Sequence, residues 1–206
     1  MIIKKVIAML ILLFIIAGCD SKTETKTDNN NSGSSSSEKN ISTIIDTDKK
    51  VQKEKVQKDI TFVLETIDGK SVHIKEIENG LEFKEFKGKA IFLVLFGHRC
   101  PPCLREIPEL IELTKEHKDL EIVAIEVQGL DADALQEFAS DKNINYSVIS
   151  GYNNMNFIGY IQAKAGWGGS IPFLLGLNKK GQVKIMQVGG IPKKQLEIGY
   201  QELIKP

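Results

Sequence analysis

The chain has 206 residues, with 27 Lys+Arg against 27 Asp+Glu and a formal net charge of zero. That length suits one ordinary domain with a sizeable core, and the balanced charge offers nucleic acid no basic surface to bind. Three cysteines, Cys19, Cys100 and Cys103, are too few for a disulfide-stapled scaffold.

The chain opens with "MIIKKVIAMLILLFIIAGCD", in which Lys4 and Lys5 precede an apolar run from Val6 to Ala17. As a helix that run rises about 18 Å, short of a hydrocarbon core of about 30 Å. The pattern therefore predicts an export signal over residues 1–18 rather than a spanning helix. "IAGC" resembles the lipobox of bacterial lipoproteins, with Ile16 where that pattern usually has Leu. The resemblance implies that Cys19 is lipidated, becomes the mature N-terminus and is unavailable for redox chemistry. Several acyl chains there would anchor the protein stably, where a single chain is marginal. Asp20 resembles the inner-membrane retention signal of some Gram-negative bacteria.

From Ser21 to about Lys58 the sequence is Ser/Asn-rich, then Lys/Asp-rich, with few apolar residues and no stable periodicity. Such a composition cannot bury enough surface to fold. Residues 19–58 read as a lipid-anchored flexible tether with an r.m.s. span of roughly 35 Å. A folded domain over residues 59–206 would hang near the membrane and remain free to turn.

That domain alternates strands and helices. "ITFVLETI" (Ile60 to Ile67) alternates, Asp68-Gly69 is a hairpin signal and "SVHI" can return. The apolar run from Ala90 to Phe96 has the look of a strand buried on both faces. A helix is predicted from Pro101 to about His117, with Leu104, Ile107 and Ile111 at helical spacing. "LEIVAIEV" (Leu120 to Val127) is a second buried strand, and a strand–helix–strand order of this length implies a right-handed crossover and a parallel pair. "DADALQEFASDK" opens on an Asp able to cap a helix. "INYSVI" predicts a short strand, and a weaker helix lies between Asn154 and Lys164. The strands "IPFLLGL" and "QVKIMQV" flank the turn "NKKG", and a last helix from Pro192 to Ile204 carries Leu196, Tyr200 and Leu203 on its apolar face. The expected architecture is α/β, a mixed sheet with a parallel βαβ half and an antiparallel ββα half. No internal repeat is visible.

The chemistry concentrates in "FGHRCPPCLREIP", from Phe96 to Pro108. Cys100 stands at the junction of the central strand and its helix, where unpaired N–H groups and partial positive charge favour a thiolate. Pro101 and Pro102 carry no N–H, which leaves that of Cys103 as the natural partner of the Cys100 sulfur. Two intervening residues place Cys103 one turn on, within reach of a disulfide. His98 and Arg99 add positive charge if they point inward. A zinc site usually wants four Cys/His ligands, and no second cysteine pair exists; His73, His98 and His117 form no recognisable other half. A structural disulfide stays open as well, although a bridge across two residues constrains little chain entropy. Redox chemistry is the favoured reading.

From about Asp59 onward the domain resembles a thioredoxin fold, and within it the membrane-tethered TlpA/ResA group of thiol–disulfide oxidoreductases. "CPPC" matches the group's C-x-x-C. Glu106 matches its glutamate three residues after the second cysteine, and Pro108 the proline within the first active-site helix. "SIPFLL" matches the cis-proline strand, which implies a cis bond between Ile171 and Pro172 beside the disulfide. The fold so implied is a central mixed β-sheet flanked by helices, here with an N-terminal β-hairpin extension.

This sequence also departs from the pattern. Arg99, preceded by His98, stands where the group typically has Trp before the first cysteine. Val94 occupies the place of the buried Asp of thioredoxins proper, so acid/base work falls to Glu106 or to nothing. Trp167 packs either in the domain or at the active-site rim.

The resemblance implies that Cys100 attacks a substrate disulfide, Cys103 resolves the mixed disulfide, and a half-buried Glu106 moves the proton of Cys103. Ile171, Pro172 and Arg99 would meet the substrate chain. No cofactor or metal is called for beyond the cysteine pair. The implied partners are protein disulfides, with apocytochrome c cysteines leading, and a membrane thiol donor, for a monomer on the extracytoplasmic side of the bacterial envelope. A DsbA-like oxidant and a non-enzymatic metal chaperone using Cys100, Cys103 and His98 are the alternatives. A peroxidase fits less well, because Gly97 stands where Thr is expected.

Overall fold

The computed structural model describes residues 59–206. The expected signal peptide, the Cys19 lipidation site and the tether lie outside the described residues.

An antiparallel sheet of three strands comes first: β1 (Thr61–Glu65), β2 (Ser71–Ile77) and β3 (Gly80–Phe83), in that order. Gly69 takes φ 78° in the first turn, as the Asp-Gly signal requires. The sequence predicts only a hairpin here; the structure adds β3, turned by Asn79 at φ 61°. Asn-Gly is itself a turn signal, and β3 is short enough for its two buried residues, Leu81 and Phe83, to leave little periodicity.

The main sheet contains β4 (Ala90–Phe96), β5 (Leu120–Glu126), β6 (Ser147–Ser150), β7 (Phe173–Leu177) and β8 (Val183–Val188), ordered β6-β5-β4-β7-β8. The β4–β5 and β5–β6 pairs are parallel, whereas β4–β7 and β7–β8 are antiparallel. Four helices complete the fold: α1 (Pro101–Glu116), α2 (Ala132–Asp141), α3 (Met155–Ala165) and α4 (Lys193–Leu203). This is a thioredoxin-like arrangement, a mixed sheet flanked by helices.

β4 explains the two-layered core. Successive side chains of a strand point to opposite faces. Ile91, Leu93 and Leu95 pack with Leu64, Ile74 and Phe83 of the first sheet and with Phe157 and Ile161 of α3. Phe92, Val94 and Phe96 pack the other way, against Leu110 and Leu113 of α1 and Leu196 and Tyr200 of α4. Both faces are covered, so every residue of β4 is buried and the strand reads as one apolar run.

Caps and breakers set the helix limits. Asp131 Oδ1 accepts the Ala134 N–H at 2.9 Å and starts α2. α1 begins with Pro101 and Pro102 and continues through Pro108. Its deep stripe is Cys103, Ile107, Leu110 and Leu113; Leu104 and Ile111, expected at its centre, are only half-buried. The α1 axis thus turns Cys103 and Glu106 toward the core and Arg105 outward.

Candidate active site

β4 delivers the chain to the end of the parallel strands, where residues 97–99 turn into α1. Cys100 caps that helix with extended backbone, at φ −93° and ψ 107°. Its Sγ accepts the Cys103 N–H at 3.3 Å. Cys100 and Cys103 are joined as a disulfide with Cα atoms 5.2 Å apart, within the usual span of such bonds.

Both cysteines are buried, Cys100 6% exposed and Cys103 1%. A distant segment covers Cys100: the Ile171 carbonyl oxygen lies 3.8 Å from its Sγ. The Ile171-Pro172 bond is cis. Trp167 braces this loop from within the core, donating its indole N–H to the Ser170 carbonyl at 2.7 Å and stacking on Phe173 at 5.7 Å.

Glu106 sits one turn beyond Cys103 and is 4% exposed, more deeply buried than the half-burial expected of it. Burial pushes its carboxyl up to about 7, against the opposing pull of the Ile191 N–H, which donates to Oε1 at 3.1 Å. The carboxyl lines a crevice of about 250 Å³ with Pro102, Arg105, Glu109, Gly190 and Ile191. A carboxyl half-ionised near neutrality and open to a crevice can take a proton from inside and pass it to water.

The two residues before Cys100 take different directions: the His98 ring turns to Glu126, and Arg99 is exposed. His98 Nδ1 lies 2.8 Å from Glu126 Oε1. A carboxylate only accepts, so the ring nitrogen is the donor. Arg99 is exposed, and its backbone N–H donates to Gln128 Oε1 at 2.8 Å. Glu126 and Gln128 were not singled out from sequence. The available signal was an acid, Glu126, directly after the apolar run Ile122–Ile125 of β5.

The metal-ligand alternative gains no geometry at the cysteines. Among the described residues, the three His/Cys/Asp/Glu side chains spaced to share an ion are Glu116, His117 and Glu197. They lie around the opposite end of α1, where Lys193 already pairs with Glu116 at 2.7 Å.

The chain is similar to proteins of known family. The AhpC/TSA family matches residues 57–185. The thiol-disulfide oxidoreductase ResA of Halalkalibacterium halodurans is 28% identical over 151 residues, covering 71% of this chain and 75% of that protein. ResA of Bacillus cereus is 30% identical over 149 residues, covering 70% and 75%. Among solved structures, StoA from Bacillus subtilis superposes with a TM-score of 0.52 at 19% identity, covering 68% of this chain and 96% of that one. A thioredoxin-family thiol:disulfide interchange protein from Chlorobium tepidum gives 0.55 at 24% identity, covering 69% and 92%. These two support the fold, while the family match and the ResA relatives carry the activity. The chain therefore belongs to the AhpC/TSA family, and within it to the ResA-like thiol–disulfide oxidoreductases.

Proposed function

We propose that this oxidoreductase reduces protein disulfides on the extracytoplasmic side of a bacterial membrane, to which lipid on Cys19 tethers it. The observation that carries the reading is the Cys100–Cys103 disulfide at the start of α1 with a buried carboxyl, Glu106, one turn further on. In the dithiol form, the Cys100 thiolate attacks one sulfur of a substrate disulfide, and the other substrate sulfur leaves and takes up a proton. Cys103 then gives its proton to Glu106 and attacks Cys100 Sγ, which breaks the bond to the substrate sulfur and releases it as a thiolate that takes up a proton. The substrate departs with two thiols and two electrons gained, and the chain is left as the disulfide. A membrane thiol donor restores the dithiol. Glu106 suits the proton step because its carboxyl titrates near 7.

The loop at Ile171 and Pro172 supports a substrate-binding edge, since it covers Cys100 and ends at the Ile171 carbonyl. Arg99, exposed directly before Cys100, meets the incoming chain in this reading. The cysteines of a c-type apocytochrome are the leading substrate by resemblance to the group, and the protein acts as a monomer. The burial of Cys100 fits a nucleophile reached only by an extended chain that displaces or pairs with this loop.

The test is a trapping experiment with a measured potential. Cys103→Ser should accumulate mixed disulfides with client proteins, and Cys100→Ser almost none. The reduction potential of the soluble domain should fall below roughly −200 mV, on the reducing side of the isomerase and oxidant values. A value near −120 mV would make the protein an oxidant, and loss of a bound metal in both variants without trapping would make the pair a ligand set.

A further inference from the structure

The turn that aims Cys100 is held from outside the helix by two side chains, one from the last residue of β5 and one from the loop that follows it. Glu126 is 0% exposed, and five N–H groups converge on its carboxylate. Oε1 takes His98 Nδ1 at 2.8 Å, the Gln128 N–H at 2.9 Å and, at longer range, the His98 N–H at 3.4 Å. Oε2 takes the N–H groups of Gly129 at 3.0 Å and Leu130 at 2.9 Å. Gln128 then reaches across, its Oε1 accepting the Arg99 N–H. Its side chain lies so close over Gly97 that a Cβ there would meet Gln128 Cδ at 2.3 Å. The Cys100 N–H closes the turn on the Gly97 carbonyl at 3.2 Å. Every backbone N–H of residues 98–100 thus has a partner, and two of the three partners are these side chains.

The loop after β5 is itself fixed. The Val127 N–H donates to the Phe96 carbonyl at 2.9 Å, the Gly151 N–H to the Glu126 carbonyl at 2.8 Å, and the Ser150 hydroxyl to the Leu130 carbonyl at 2.5 Å. The bracket therefore transmits the position of β5 and β6 to the residues directly before the cysteine. None of these contacts touches sulfur, so Glu126 and Gln128 act through the turn.

We propose that Glu126 and Gln128 are positioning residues that hold Cys100 against Cys103 in the dithiol and so make the pair a stronger reductant. Closing the disulfide orders the same turn that the bracket orders. Order already imposed by one need not be imposed by the other, so each strengthens the other. By linkage the coupling is reciprocal: the bracket favours the disulfide, and the disulfide strengthens the bracket. This inference rests on Cys100–Cys103 exchange as proposed above.

The experiment is a thermodynamic cycle on the folded chain. Glu126→Gln keeps the side-chain shape but sets an amide NH2 against backbone donors. Its equilibrium with glutathione should move about tenfold toward the dithiol, a potential about 30 mV less negative. Melting of the oxidised and reduced forms should show the variant losing more stability in the oxidised form, by the same factor. Gln128→Ala, a milder change at a half-buried residue that deprives one N–H of its acceptor, should move the equilibrium about threefold in the same direction. It carries the test if Glu126→Gln does not fold. Equal losses of stability in both forms with unchanged glutathione equilibria would reduce the bracket to a structural role and overturn the proposal. A wild-type pair that fails to exchange with glutathione at all would overturn both this proposal and the assignment of the cysteines.

Discussion

Two buried glutamates stand on either side of the cysteine turn, and their surroundings differ sharply. Glu106, on the α1 side, receives one N–H, from Ile191. Glu126, on the loop side, receives five, from His98, Gln128, Gly129 and Leu130. Both are almost fully buried. Two carboxyls similarly buried can thus differ widely in how many donors the fold aims at them. The four shorter of these contacts fill the roughly four acceptor sites of a carboxylate and tie Glu126 to the loop that follows it. At Glu106 burial pushes the carboxyl up to about 7, and the single Ile191 N–H opposes it only in part.

The contrast can be broken at Glu106 first. Glu106→Gln removes the proposed proton acceptor, and single-turnover resolution of a Cys100 mixed disulfide should slow by about a hundredfold or more at neutral pH. An unchanged rate would place the proton of Cys103 elsewhere.

A stability titration tests the same carboxyl independently of turnover. Its folded value of about 7 lies above the ordinary 4.5, so between these pH values the native state holds a proton that the unfolded state has released. Stability from this group is present below pH 4.5 and falls as pH rises toward 7, by a total of order 3 kcal/mol. Denaturant unfolding from pH 4.5 to 8 should show that decline in the oxidised wild type, and Glu106→Gln should flatten it.

On the other side, Glu126→Gln should cost about 2 kcal/mol of unfolding free energy in the oxidised protein, from backbone donors left facing an amide. The smallest effect belongs to Gly97→Ala. Its new Cβ must displace the Gln128 side chain, and a loss of about 1 kcal/mol is expected by denaturant melting. A neutral Gly97→Ala would show that Gln128 moves aside freely and contributes little to the bracket.

Much of this site is legible along the chain. "CPPC" after an apolar run places a sulfur at a helix start, and the two prolines single out the Cys103 N–H as its partner. Glu106 is marked by its resemblance to the glutamate of the ResA group. His98 is visible as a neighbour of the cysteine, but nothing local says that its ring turns away to Glu126, 28 residues further on. Gln128 carries no signal at all, since an isolated polar residue after a strand looks like any loop residue.

The sequence by itself determined the elements other than β3, and their order: the all-apolar β4, the Asp131 cap of α2, the Leu196–Tyr200–Leu203 face of α4 and the strand–helix junction at Cys100. These depend on periodicity and on hydrogen bonds within a few residues, which short windows of sequence encode. Tertiary structure decided the rest. Ile171 covers Cys100 from 71 residues away, and Ile191 reaches Glu106 from 85. Burial and donor supply at these groups come from segments that meet only when the sheet closes, and no local pattern specifies which backbone N–H or carbonyl will arrive beside a given side chain.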